Sequence, residues 1–336
     1  MRYRRAVLAA VLVGAAALTV AAPAGARSWA HGAEVRVSSA GVMAPLPDGL
    51  FHGEQRMTAA QLDLALQALA APTGAAPVQL GGGAVTITRF HRAVVAQLGL
   101  TDVGEAIQSE TARVGLAPPA RYGDEVVARR LGLRFNHPER EESRELYPWD
   151  EITRSEAAWS LARVLSLTPA DVQDVRDTFS RYVLPDLGPR ERRALRIAAS
   201  RIGMPYIWGG ETDGPRGADG PQAHGGYDCS GFVWRVFKLS GDPAGRRVDG
   251  RTAASQAGEI ARGRRLALDA IRPGDLLFFG RASFHSTATE RSVDHVGIAL
   301  SADFMINASS LGAGVYVQPL FDEWRRRSFA WGRRIL

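Results

Sequence analysis

Cys229 is the only cysteine in 336 residues. It stands in YDCSGFVW, residues 227–234. A lone cysteine cannot form a disulfide within the chain. It is either a small buried hydrophobe or a reagent. Asp228 suits a helix N-cap, and residues 229–239 can form a helix behind it, which puts Cys229 in the first turn. Backbone amides without helical partners, together with the helix dipole, are expected there to lower the thiol pKa and to offer donors to an oxyanion. Ser230 and Gly231 leave room for a substrate backbone.

A thiol nucleophile needs a base, and the base needs an orienting partner. Of the seven histidines, His295 opens the β-like run DHVGIAL, and Asn307 lies in the next run, FMINAS. A hairpin centred on residue 301 would set His295 and Asn307 directly opposite, with Cβ atoms roughly 5 Å apart. The asparagine oxygen would then accept from one imidazole nitrogen and aim the other at the thiol. Read singly, His295 is an ordinary strand histidine and Asn307 an edge or turn residue. Their combination with Cys229 points to chemistry. Upstream, GMPYIWGG (203–210) offers Tyr206, whose phenol either supports the nucleophile or is a core aromatic with a wet hydroxyl. There is no HExxH and no ligand spacing among the histidines, so neither a metal nor another cofactor is expected. GGG at 81–83 lacks the following Lys-Ser/Thr of a phosphate loop.

The elements that must carry these residues follow from pattern. Arg2, Arg4 and Arg5, an apolar run over 6–22 and the Ala24-Gly25-Ala26 site read as a signal peptide cut after Ala26. No second long apolar run exists, so no membrane contact is expected after cleavage. The formal charge of +6 falls to +3 when those three arginines leave with the leader. That is too mild to imply nucleic acid, though compatible with anionic wall polymers. Residues 27–53 read as a flexible arm and 54–170 as helical, with Leu62, Leu66 and Leu69 on one helix face. VTITRFHRAVVAQLGL (85–100) and DEITRSEAAWSLARVLSL (150–167) share a Thr-Arg pair before an apolar run. Thr153 and Glu156 have capping-box spacing. Residues 171–189, punctuated by Pro185, Gly188 and Pro189, read as a linker. From 190 onward come a helix, a Gly-rich loop, the cysteine helix and the β runs DLLFF, HVGIAL, DFMINAS and GVYVQPL. This is α+β grammar: a helix packed on an antiparallel sheet, preceded by an all-α domain.

The ordered motifs PYIWGG, YDCSGFVW, RPGDLLFF, DHVGIAL and MINAS resemble the NlpC-type cell-wall peptidases, which are papain-like cysteine hydrolases. The resemblance covers 190–336. It implies Cys229 as nucleophile, His295 as base and Asn307 as the orienting residue, a position often held by His in the family. It also implies a role for Tyr206 beside the nucleophile, oxyanion donors from backbone amides near Cys229, and peptidoglycan stem peptides as substrate, commonly cut between γ-D-glutamate and a diamino acid. Residues 54–170 resemble surface-layer-homology modules, which bind secondary wall polymers; a helical domain that binds nothing is the competing reading. Two polar stretches, 211–226 and 281–293, depart from the compact family form. They carry His224 and His285 and read as loops beside the site. A monomer is expected. An acyltransferase on the same fold and a catalytically silent wall-binding protein are the rival readings.

Overall fold

Three helices of the N-terminal half begin in the same way, and their starts meet. α2 (Ala59–Ala70), α3 (Ile87–Gln97) and α6 (Arg154–Val164) open on Thr58, Thr86 and Thr153, and each threonine side chain accepts the N–H three residues on. The residue before each cap, Met57, Val85 or Ile152, is buried, as is the residue four after it, Leu62, Phe90 or Ala157. That pairing staples the entry of each helix. Backbone bonds from Met57 N to Ile152 O (3.0 Å) and from Ile152 N to Val85 O (2.9 Å) stitch the three starts together. The sequence reading found two of these units and placed the first two residues out of register. Thr86, not Thr88, caps α3, so Arg89 and Arg154 are not equivalent. The Thr153–Glu156 capping box is half made: Glu156 donates its amide to Thr153, but its carboxylate turns to His137 Nε2 at 2.8 Å. Both arginines of the Thr-Arg pairs are engaged by backbone. Arg154 donates to Phe51 O and Ala44 O, and Arg89 to Leu80 O, Gly81 O and Gly82 O.

The computed structural model describes residues 28–71, 76–218 and 220–336; the expected signal peptide lies outside the described residues. Two segments are more ordered than their composition implied. The arm contains α1 (His31–Ser39), which packs on α6. The linker holds most of α7 (Pro169–Ser180), capped by Thr168 with proline at the helix start. α7 brings Phe179 to within 5.9 Å of the Phe304 ring in the C-terminal half. Between these lie α4 (Thr101–Arg113) and α5 (Tyr122–Arg130).

The C-terminal half begins with α8 (Pro189–Ser200) and a two-stranded ladder of β1 (Glu211–Thr212) and β2 (Gly226–Tyr227). The cysteine helix α9 (Cys229–Val233) runs on as a π-helical turn over Trp234–Lys238. After α10 (Ala253–Gly258) come β3 (Leu276–Gly280), β4 (Val293–Ala299), β5 (Phe304–Ser309), β6 (Gly314–Pro319), α11 (Glu323–Ser328) and β7 (Phe329–Arg333). The five long strands form one antiparallel sheet in the order β6-β5-β4-β3-β7, and α9 and α10 pack on β4. The four β runs read from sequence are β3 to β6; β7 was not foreseen. Among the described residues no helix is long and apolar enough to cross a membrane.

A buried ionic cluster joins the halves. Glu125 on α5 accepts from His91 Nδ1 at 2.8 Å and Arg129 Nε at 3.1 Å, and neither the His91 nor the Glu125 side chain is exposed. Arg129 also donates to Gly312 O (2.9 Å), Ala313 O and Gly203 O (2.7 Å). One guanidinium thus ties the N-terminal helices to the turn before β6 and to the loop carrying Tyr206. Buried apolar residues run without a break from Val37 to Ile335, so the two halves share a core.

Candidate active site

Asp228 caps α9 through Oδ1, which accepts Gly231 N at 2.6 Å. This places Cys229 at the first helical position, as its spacing implied. Neighbouring amides approach the sulfur: those of Val296, the residue after His295, and of Ser230 pull its pKa down. They do not prevail. Burial, followed by the Asp228 carboxylate, pushes the Cys229 thiol up to about 12. The expected lowering by the helix start is therefore overturned for the resting site. A short helix supplies only a partial charge, whereas desolvation and a full carboxylate act directly on the sulfur.

His295 Nε2 donates to Asn307 Oδ1 at 2.9 Å. The Asn307 amide is fully buried, and its Nδ2 faces Tyr316 O at 3.5 Å, which turns the oxygen toward the imidazole. The partnership is the one read from sequence, but the register differs. Ile298 pairs with Ile306 and Ala299 with Met305, so the hairpin centres on 302 rather than 301. Asn307 then lies opposite Gly297, and a Cβ built on Gly297 would meet Asn307 Cβ at 3.2 Å and Met305 Sδ at 2.7 Å. His295 sits diagonally, two residues away on the same face, and reaches across the space that Gly297 leaves open. Burial, followed by the Arg325 guanidinium, pushes the imidazole down to about 3. At neutral pH the resting pair is thus a neutral thiol and a neutral imidazole.

Tyr206 stands in the segment that bridges to Tyr227. Burial first, then the nearby Cys229 and Asp228, raise its pKa, so the phenol keeps its proton and can only donate to an anion. Ser230 Oγ donates to Asp228 Oδ1 at 3.1 Å; this hydroxyl supports the cap.

Two residues escaped the sequence reading. Arg251 donates to Asp228 Oδ1 and Ser230 Oγ, each at 3.0 Å, to Glu211 Oε2 at 3.1 Å and to Gly209 O at 2.6 Å. It clamps the cysteine helix to the loop of Tyr206, and nothing local in RRVDGR signalled that. Glu142 belongs to a short helical turn, Glu139–Arg144, of the N-terminal half. It is 3% exposed and accepts Trp208 N at 2.7 Å. Its carboxyl is pushed up to about 7 by burial and by neighbouring carboxylates that include Asp228. In sequence it was one charge in a charged loop.

The stretch 211–226 packs on the N-terminal half. His224 packs on Tyr147 with ring centroids 4.3 Å apart, and Tyr147 Oη donates to Asp213 O at 3.1 Å. His285 lies edge-on to Phe284 at 5.3 Å. Trp208 and Trp149 are exposed. Among the described residues no group of three or more His, Cys, Asp or Glu side chains is placed to hold a metal ion.

Residues 203–333 match the NlpC/P60 family. A probable endopeptidase of Mycobacterium tuberculosis is 31% identical over 140 residues, covering 41% of this chain and 29% of that protein. The gamma-D-glutamyl-L-lysine dipeptidyl-peptidase of Bacillus subtilis is 28% identical over 131 residues, covering 38% and 34%. Among solved structures, the P60 domain of a Mycobacterium avium subspecies paratuberculosis antigen is 28% identical, covers 44% of this chain and 94% of that one, and gives a TM-score of 0.32. The chain spans about a third of the length of these two curated relatives. The NlpC/P60 match contains Tyr206, Cys229, His295 and Asn307 and leaves out the helical half that carries Glu142.

Proposed function

We propose that this protein is a secreted thiol hydrolase of peptidoglycan stem peptides, with Cys229 as nucleophile, His295 as general base and Asn307 as orienting residue. The observation that carries this reading is the His295 Nε2 bond to Asn307 Oδ1 at 2.9 Å, made beside a cysteine whose sulfur faces the Val296 amide. With its proton on Nε2, the imidazole keeps a lone pair on Nδ1. As the substrate carbonyl arrives, Nδ1 takes the thiol proton while sulfur attacks the carbon, and the C=O pair moves onto oxygen. The Cys229 and Ser230 amides and the Tyr206 hydroxyl donate to that oxyanion; one such donor is worth about 10²–10³ in rate. Collapse expels the amine, which takes the proton from Nδ1. Water, deprotonated by Nδ1, then cleaves the thioester and restores the thiol. The name of the Bacillus relative supports a γ-D-glutamyl–diamino acid bond as the one cut.

The test is mass spectrometry of purified peptidoglycan treated with residues 27–336 or with Cys229→Ala. New stem fragments from the wild type alone are expected. Silence from both, or equal release by Cys229→Ala, would overturn the reading. A competing amine in the same assay distinguishes hydrolysis from acyl transfer by the mass of the new acyl end.

A further inference from the structure

Arginines gather at the end of the sheet opposite the site. In the aligned rows of β4, β3 and β7, His295 pairs with Phe279 and Phe279 with Phe329, whereas Ile298 pairs with Leu276 and Leu276 with Arg333. The catalytic row and the Arg333 row are thus at opposite ends of these strands. Two cavities open at the Arg333 end. One, of about 470 Å³, is lined by Arg247, Arg264, Arg333 and Arg334 among others. The second, of about 340 Å³, shares Arg247 and Ile335 with it and adds Arg190 and Arg193.

Half of these guanidiniums are locked by the fold. Arg333, 7% exposed, donates to Gln256 O, Arg247 O and Glu259. Arg334 pairs with Asp275 and Arg193 with Asp242. The other three have no carboxylate partner among the described residues. Arg247 is fixed in place by Ile335 O at 3.1 Å, and Arg190 and Arg264 are exposed. A concave surface that carries three uncompensated guanidiniums beside three paired ones has the fork geometry and charge that bind phosphate oxygens. The residues lining it include no aromatic ring on which a base could stack, and concavity does not match a bilayer, which takes apolar side chains inserted from a flat or convex face. A slender chain of phosphodiesters fits both the shape and the charge.

We propose that this trough binds a polyol- or sugar-phosphate polymer, anchoring the protein to an anionic wall polymer from the end of the sheet opposite the catalytic row. The inference does not depend on the peptidase reading, since it concerns neither Cys229 nor His295. The probe is a fluorescent glycerol-phosphate hexamer, titrated by anisotropy at increasing salt with residues 27–336. Wild type and Cys229→Ala should bind alike. The R190Q/R247Q/R264Q variant should bind at least about tenfold more weakly, with a salt slope lower by about three, one for each phosphate that is no longer neutralised. Arg264→Glu alone breaks no side-chain hydrogen bond or ion pair among the described residues and should weaken binding with an unchanged Tm, which separates charge from folding. No binding by the wild type at low salt, equal binding by the triple variant, or tighter binding to a single-stranded oligonucleotide or to anionic vesicles would each overturn the proposal.

Discussion

Glu142→Gln tests whether the N-terminal half builds part of the site. The carboxyl is buried, receives one backbone N–H and faces further carboxylates, so its pKa is held at about 7 instead of 4.5. A raised acid opposes folding at high pH. Below about 4.5 the group is protonated in both folded and unfolded chains and is neutral to stability. Between 4.5 and 7 the unfolded chain ionises while the folded chain does not, and stability falls by about 1.4 kcal/mol per pH unit. Above 7 the full cost remains. The shift corresponds to about 3 kcal/mol; partial relaxation and water entry bring the expectation to about 1–3 kcal/mol. Glutamine keeps an oxygen for Trp208 N–H and removes the charge. Glu142→Gln should therefore match the wild type near pH 4.5 and be more stable by about 1–3 kcal/mol at pH 8. Urea unfolding of both proteins at half-unit pH steps measures the difference, and most other titrating groups cancel in it. A difference that stays flat from pH 5 to 8 would mean a hydrated carboxyl and would refute the placement of Glu142 against the Tyr206 loop.

Other outcomes follow from the same geometry. Gly297→Val puts a side chain where Met305 and Asn307 already stand, so peptide release should fall by at least about 10²-fold, with a Tm loss of only a few degrees. Asn307→Ala should lower turnover by about 10²–10⁴ while Asn307→His recovers part of it, as read by stem-peptide release. With the thiol pushed up to about 12, alkylation of Cys229 by iodoacetamide should rise about tenfold per unit between pH 7 and 10; a plateau in that range would mean a preformed thiolate. Arg129→Met strips Glu125 of its arginine partner and leaves three carbonyls without that donor. It should destabilise the chain by about 3–5 kcal/mol, seen as one cooperative transition at lower urea. Two separated transitions in the wild type would argue against a shared core.

Local chemistry was legible wherever a motif explains itself. Asp228 before Cys229 specified a cap and therefore the position of the thiol. Short apolar runs specified β3 to β6, and a histidine and an asparagine twelve residues apart on adjoining strands specified a partnership. The register slipped by two because only the turn, read as centred on 301, was available to set it, and Gly297 opposite Asn307 decides it in space. The Thr of the second Thr-Arg pair is a cap and that of the first is not: Thr86 and Thr88 both offer hydroxyls and both follow a buried residue, and the residue four positions on, buried Phe90 for Thr86 against exposed Arg92 for Thr88, selects between them.

The sequence alone determined the candidate nucleophile, its helix, its candidate base and orienting partner by type and spacing, and the α+β grammar of the C-terminal half, because each depends on neighbours within a turn or a hairpin. The tertiary structure decided what depends on distant residues. Burial beside Asp228 leaves the thiol protonated where the helix start alone implied the reverse. Arg251 and Glu142 reach the site from 22 residues downstream and 87 residues upstream of Cys229. The Arg333 trough assembles from four separate segments. Desolvation and long-range charge are properties of the packed molecule, and no local pattern encodes them.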